Sequence, residues 1–87
     1  MYSISIQKSG EKDLERIPTT VLSKIVKAID SLKKDPRPPG VKKLKGSTEN
    51  LYRIRSGDYR IVYSIEDEIR VVNIRRIRHR KDIYRDL

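Results

Sequence analysis

The chain has 87 residues, enough for one small domain with a single core and little stability to spare. Lysine and arginine number 21 against 12 acidic residues, giving a formal charge of +9 at pH 7. The pI is near 10.0. That balance ranks the partners as nucleic acid first, an acidic protein segment second and an anionic membrane surface last. With no cysteine, disulfides and thiolate zinc sites are excluded, and no apolar run approaches the roughly 20 residues that span a bilayer. A single cytoplasmic domain over residues 1–87 is expected, with no membrane partner.

Tyr2, Ile4 and Ile6 alternate with Ser3, Ser5 and Gln7, the period-two pattern of a strand with one buried face. Residues 9–17 read as a short polar helix anchored by Leu14 and Ile17, closed by Pro18. Val21, Leu22, Ile25, Val26, Ile29 and Leu32 recur at helical spacing, which predicts a helix over about 19–34 that lays this stripe across the sheet. Asp35-Pro-Arg-Pro-Pro-Gly40 cannot continue it and forms a stiff connector. Val41 to Gly46 is a basic approach segment anchored by Leu44, followed by a turn at Ser47 to Asn50.

The run Leu51-Tyr-Arg-Ile-Arg-Ser-Gly-Asp-Tyr-Arg-Ile-Val-Tyr63 reads as a β-hairpin turning at Gly57-Asp58. That turn sets Ile54 opposite Ile61 on one face and Arg55 opposite Arg60 on the other. Glu66-Asp-Glu68 make an acidic turn into a last strand, Ile69 to Ile77, and a basic tail follows. The order β-α-α-β-β-β predicts an α+β domain with a mainly antiparallel four-stranded sheet and two N-terminal helices on one face.

Arg53, Arg55 and Arg60 are expected to converge on the sheet face away from the helices. Arginine offers a rigid fork of donors that keeps its proton near neutrality, so it can brace a phosphate and stabilise charge that builds there. A solvated sheet face is the plainer alternative. His79 is the only histidine and the one side chain suited to proton exchange near neutrality, although a lone histidine is commonly a surface residue. Tyr84 either packs the tail onto the core or stacks and relays a proton beside a phosphate. No carboxylate pair or histidine cluster suggests a metal, so no cofactor is expected. Metal-free cleavage of RNA stays open, because the 2′-hydroxyl is a built-in nucleophile.

The hairpin LYRIRSGDYRIVY, the K-L-x-G at Lys43 to Gly46 and the closing HRKDIY together resemble the RelE branch of the RelE/ParE toxin superfamily, over essentially the whole chain. The resemblance implies a fold like that of small microbial ribonucleases. It also implies an mRNA endonuclease that cuts the messenger in the ribosomal A site, and a cognate antitoxin, with operator DNA bound only through that antitoxin. By motif, the family's basic pair falls on Arg53 and Arg55, its phosphate-bracing arginine on Arg60, its later catalytic arginine on Arg80 with Arg78 in competition, and its tyrosine on Tyr84. Arg53, Lys43, Lys45, Arg76, Arg78 and Lys81 are expected to bind RNA. Where a well-known member has lysines at the basic pair, this chain has arginines. A guanidinium is a poor base, so that role passes to His79, to Tyr84, or to a ribosomal or RNA group. The alternatives are a ParE-like action on DNA gyrase and a non-enzymatic basic binding module.

Overall fold

A computed structural model describes residues 1–45 and 50–81. The elements run β1 (Ser3–Ile6), α1 (Lys8–Glu15), α2 (Thr19–Ser31), β2 (Lys42–Lys43), β3 (Leu51–Ser56), β4 (Tyr59–Glu66) and β5 (Val71–His79). The five strands form one sheet in the order β1-β5-β4-β3-β2. All neighbours are antiparallel except β1 and β5, which run parallel. The α+β class and the mainly antiparallel sheet stand as expected, but the sheet has five strands instead of four. The extra one is β2, whose two exposed lysines have no alternation to announce a strand; Lys42 and Lys43 pair with Arg53 and Tyr52.

α2 begins directly after Pro18, whose carbonyl accepts the Val21 and Leu22 N–H groups. Ile25, Ile29 and Leu32 of its stripe are buried, whereas Val26 is 51% exposed and faces away from the core. The helix stops at Ser31, short of 34, because the last N–H groups, from Leu32 to Lys34, bond to carbonyls three residues back and tighten the chain into turns. Ile17, Ile25, Ile29 and Leu32 meet Ile54, Ile61, Tyr63, Val72, Ile74 and Ile77 in one core.

β1 ends at Ile6, and α1 then takes its place along the edge of β5. The Gln7 N–H donates to the Ile74 carbonyl at 2.9 Å and the Ser9 hydroxyl to the Arg75 carbonyl at 2.7 Å. The approach is close enough to require glycine at position 10, where a Cβ would lie 3.1 Å from the Ile74 carbonyl oxygen and 3.2 Å from Ile6 Cγ2. Between β4 and β5 the acidic turn comes later than its composition suggests. Glu66 still belongs to β4, and Arg70 takes a left-handed conformation with φ of 53° before β5 starts at Val71.

The proline connector is held from two sides. The buried Tyr63 hydroxyl donates to the Pro36 carbonyl at 2.7 Å, and burial raises its pKa. The Arg37 guanidinium sits over the Tyr52 ring at 5.2 Å and donates two hydrogen bonds to Asp67, at 3.0 and 3.2 Å. The Tyr2 hydroxyl donates to the same carboxylate at 2.7 Å. Arg37 foremost, and then Tyr2, hold Asp67 below the usual carboxylate range. A depressed folded-state pKa contributes stability above the ordinary carboxylate range, lost as pH falls through the depressed value. The Arg37→Met variant should therefore melt below the wild type at about pH 6, with the gap closing towards about pH 2 as Asp67 is protonated in both proteins. Thermal melts at both pH values check this; a gap that stays constant would remove the ion pair from the stability of the fold.

Candidate nucleic-acid interface

The hairpin register is the one the turn dictates. Gly57 adopts φ of 59°, Ile54 pairs with Ile61, and Arg55 pairs with Arg60. On the other side of β4, Ile61 pairs with Ile77 and Arg60 with Arg78. Directly paired residues share a sheet face, so the inward row Ile54, Ile61, Ile77 lies next to an outward row Arg55, Arg60, Arg78. One step further along, Lys42, Arg53, Val62 and Arg76 form a second outward row. Cβ atoms of such pairs lie about 4.5–5.5 Å apart.

The outward position of Arg76 and Arg78 depends on a bulge. Val62 pairs with Arg76 but Tyr63 pairs with Ile74, so Arg75 is an extra residue in β5. Val72 and Ile74 point into the core ahead of it and Ile77 points into the core after it, all at most 3% exposed. Without the extra residue Ile77 would turn out and Arg76 and Arg78 would turn in. The Arg75 Nε donates to the Ser64 hydroxyl at 3.4 Å.

Asp13, on α1, completes the arrangement. Its Oδ2 accepts the Ile77 N–H at 2.9 Å and Arg76 Nε at 3.0 Å; its Oδ1 accepts Arg76 Nη2 at 3.3 Å. Arg78 Nε lies 3.9 Å from Oδ2.

Of the residues predicted from sequence, Arg53, Arg55, Arg60, Arg76 and Arg78 are thus brought together on one face. Arg60, at the centre, is only 9% exposed. Arg80 lies past the end of β5 against the hairpin turn, its N–H donating to the Asp58 carbonyl at 2.7 Å and its Nε 3.8 Å from the Asp58 carboxylate. Lys43 shares the helix-side face with its partner Tyr52, while Lys45 and Lys81 are exposed beyond the ends of β2 and β5.

His79 is not brought to the arginines. It follows Ile77 by two residues and pairs with Tyr59 on the helix side, the two rings edge to face at 5.3 Å. Its Nδ1 accepts the Lys81 N–H at 3.3 Å. There it lines a cavity of about 320 Å³ with Pro18, Val21, Lys24 and Tyr59, and a smaller one of about 100 Å³ with Asp13, Arg16 and Arg78. Tyr84 and Gly46 lie outside the described residues.

Two residues escaped the sequence reading. Lys42 joins the second row because β2 was not foreseen. Asp13 had a signal, since Gly10, Asp13, Leu14 and Ile17 follow the spacing of one buried helix face.

The arrangement can hold a chain of phosphates across three strands and concentrate positive charge at one of them. The sequence matches the family described as ParE toxin of type II toxin-antitoxin system, parDE, over residues 4–84. RelE1 of Methanocaldococcus jannaschii is 35% identical over 88 residues, covering 98% of this chain and 97% of that protein. Toxin RelG of Mycobacterium tuberculosis is 34% identical over 85 residues and is covered to 97%, as is this chain. The RelE-RelB complex of Pyrococcus horikoshii contains a chain 32% identical that superposes with a TM-score of 0.78, covering 91% of this chain and 94% of that one. The chain therefore belongs to the RelE/ParE superfamily of type II toxin-antitoxin toxins, on its RelE branch.

Like charges directly opposite each other on a sheet are destabilising. Replacing the exposed Arg55 with Thr should accordingly stabilise the domain by about 0.2–1 kcal/mol, and should weaken binding to any polyanion. Urea melts paired with a heparin-affinity elution test both effects. Destabilisation by this substitution would mean that Arg55 contributes to the fold and is not held there against repulsion.

Proposed function

We propose that this chain is a metal-independent endoribonuclease that cleaves messenger RNA in the ribosomal A site and so arrests translation. The observation that carries this reading is the Arg55, Arg60, Arg78 row, three guanidiniums at paired positions on adjacent strands with the half-buried central cluster flanked by Lys42 and Arg53. In the reaction the 2′-oxygen attacks the adjacent phosphorus, the bond to the 5′-oxygen breaks, and a 2′,3′-cyclic phosphate and a 5′-hydroxyl remain. The 2′-hydroxyl loses its proton to a base and the leaving 5′-oxygen gains one. Arg60 stabilises the charge that grows on the phosphate, with Arg78 opposite it; Arg80, carried over by motif, stands at the turn and meets the flanking RNA. Arg53 and Arg55 hold neighbouring phosphates, joined by Lys43, Lys45 and Lys81 at the margins.

Proton transfer has no donor or acceptor on the two rows, since every side chain there that ionises is a permanent cation. The relay falls to Tyr84 or to a group of the RNA or ribosome, with His79 turned to the other face. A substrate positioned by the ribosome compensates for this weak internal base through proximity and alignment.

Arg60→Ala should lower cleavage about a hundredfold while ribosome binding stays within about threefold, as expected of a group that acts in the transition state. Single-turnover cleavage of a defined messenger on stalled ribosomes gives both numbers. Equal losses in binding and rate favour a docking role, and inhibition of gyrase supercoiling with ribosomes unaffected would move the chain to a ParE-like activity.

The same reading includes a cognate antitoxin, supported by the relative solved as a complex of RelE with RelB. An acidic, initially disordered partner suits a +9 surface, because it can fold on contact and neutralise the arginine rows over a wide area. Any operator binding would come through that partner. Expression of this protein alone should arrest growth, and co-expression with the adjacent small open reading frame should restore it. Normal growth with folded protein verified in the cell would overturn the toxin assignment for this chain.

A further inference from the structure

Other acids near the arginines and the proline connector meet their cations at the surface: Asp58 faces Arg80 and Asp67 faces Arg37. Asp13 is different. It is 7% exposed, sits on α1 outside the sheet, and gathers the Ile77 N–H, Arg76 and Arg78 onto one carboxylate. A neutral oxygen would be enough to satisfy the Ile77 N–H on the β5 edge. Only a carboxylate can also hold two guanidiniums, and burying one is costly unless it does.

The placement of those two arginines gives the carboxylate a use. Arg76 and Arg78 flank Ile77, so both leave β5 on the outward face, and both bend back around the edge to the same oxygen. Arg76 is held by two hydrogen bonds at 3.0 and 3.3 Å, whereas Arg78 is only tethered at 3.9 Å. Left alone, two adjacent long cations would both be available to any phosphate on this face.

We propose that Asp13 is a positioning residue for the phosphate site: it withdraws Arg76 from RNA and steers Arg78 to the position beside Arg60. The inference rests on the RNA-cleavage reading given above. It makes Arg76 a structural counter-ion and leaves Arg78 as the guanidinium that meets the scissile phosphate. Asp13 touches no substrate and acts through the two arginines.

Asp13→Asn keeps the size and an acceptor for the Ile77 N–H but removes the charge. Two measurements separate positioning from general support. The first is binding of a single-stranded, fully 2′-O-methylated oligoribonucleotide across a range of salt; the second is single-turnover messenger cleavage on ribosomes. With Arg76 released, oligonucleotide binding should be at least as tight as in the wild type, and its log–log salt dependence should steepen by about 0.7, the increment for one more phosphate contact on a single strand. The maximal cleavage rate should fall about tenfold with no rise in the half-saturating ribosome concentration, because Arg78 has lost its place. Parallel losses in binding and rate would mark Asp13 as mere support for the fold and overturn the proposal, as would a variant identical to the wild type in both assays. If circular dichroism shows Asp13→Asn unfolded, Arg76→Gln decides. An unchanged salt slope supports a withdrawn Arg76, and a slope shallower by about 0.7 means that Arg76 binds phosphate in the wild type and overturns the idea. A wild type that binds the oligonucleotide yet never cuts messenger would defeat the RNA-cleavage reading, while the salt slopes would still judge the role of Asp13.

Discussion

One extra residue in β5 decides which chemistry reaches which side of the sheet. The side-chain period of a strand is two, so a single insertion reverses the facing of everything after it. Before Arg75 the strand points Val72 and Ile74 into the core; after it, Ile77 points in and Arg76 and Arg78 point out. The same reversal carries His79 to the helix side with Tyr59. The bulge also coincides with the end of β1, where α1 replaces a strand as the neighbour of β5. At that junction the edge groups of β5 are satisfied by side chains: the Arg75 carbonyl accepts from the Ser9 hydroxyl and the Ile77 N–H donates to Asp13.

Setting arginines opposite one another on three strands has a cost, and the neighbouring row offsets it. Each like-charged pair is unfavourable by something on the order of 0.2–1 kcal/mol. Full burial of an isoleucine contributes roughly 1.5–3 kcal/mol, and the inward row of Ile54, Ile61 and Ile77 is at most 8% exposed. The apolar term wins, so the register is set by the isoleucines and the arginines are carried along with them. Such a surface is tolerated by the fold without being required for it, which is the usual relation between a binding site and its scaffold.

That relation explains what the sequence disclosed. The hairpin was legible because Gly57-Asp58 fixes the loop length, and loop length fixes which residues pair; Ile54 with Ile61 and Arg55 with Arg60 followed without any tertiary information. The helix of residues 19–31 was legible from its apolar spacing, although Val26 shows that spacing alone overstates the width of the buried stripe. β2 was not legible, because two lysines paired to an edge strand carry no periodic signal. The facing of the tail lay between these extremes. Ile74-Arg-Arg-Ile77 breaks the alternation at a doublet of arginines, and two isoleucines three apart in a strand can both be buried only if a residue is inserted between them. The Asp13 interactions join positions 63 and 64 residues apart, a distance at which local pattern says nothing about partners.

The division of labour between the two faces constrains any mechanism built on this site. The outward rows offer fixed positive charge, and fixed charge stabilises a transition state but cannot accept a proton. The side chain best suited to proton exchange is across the sheet, packed against Tyr59. A site of this kind has strong electrostatics and weak acid–base chemistry, so on free RNA it should bind many phosphates and cut few of them. Its selectivity must then come from whatever holds one phosphate in line with its 2′-oxygen, because alignment is the part of catalysis that the rows themselves do not supply. Dependence on a larger assembly to present the substrate follows from that shortage, and it also lets a strongly cationic domain meet bulk RNA without degrading it indiscriminately.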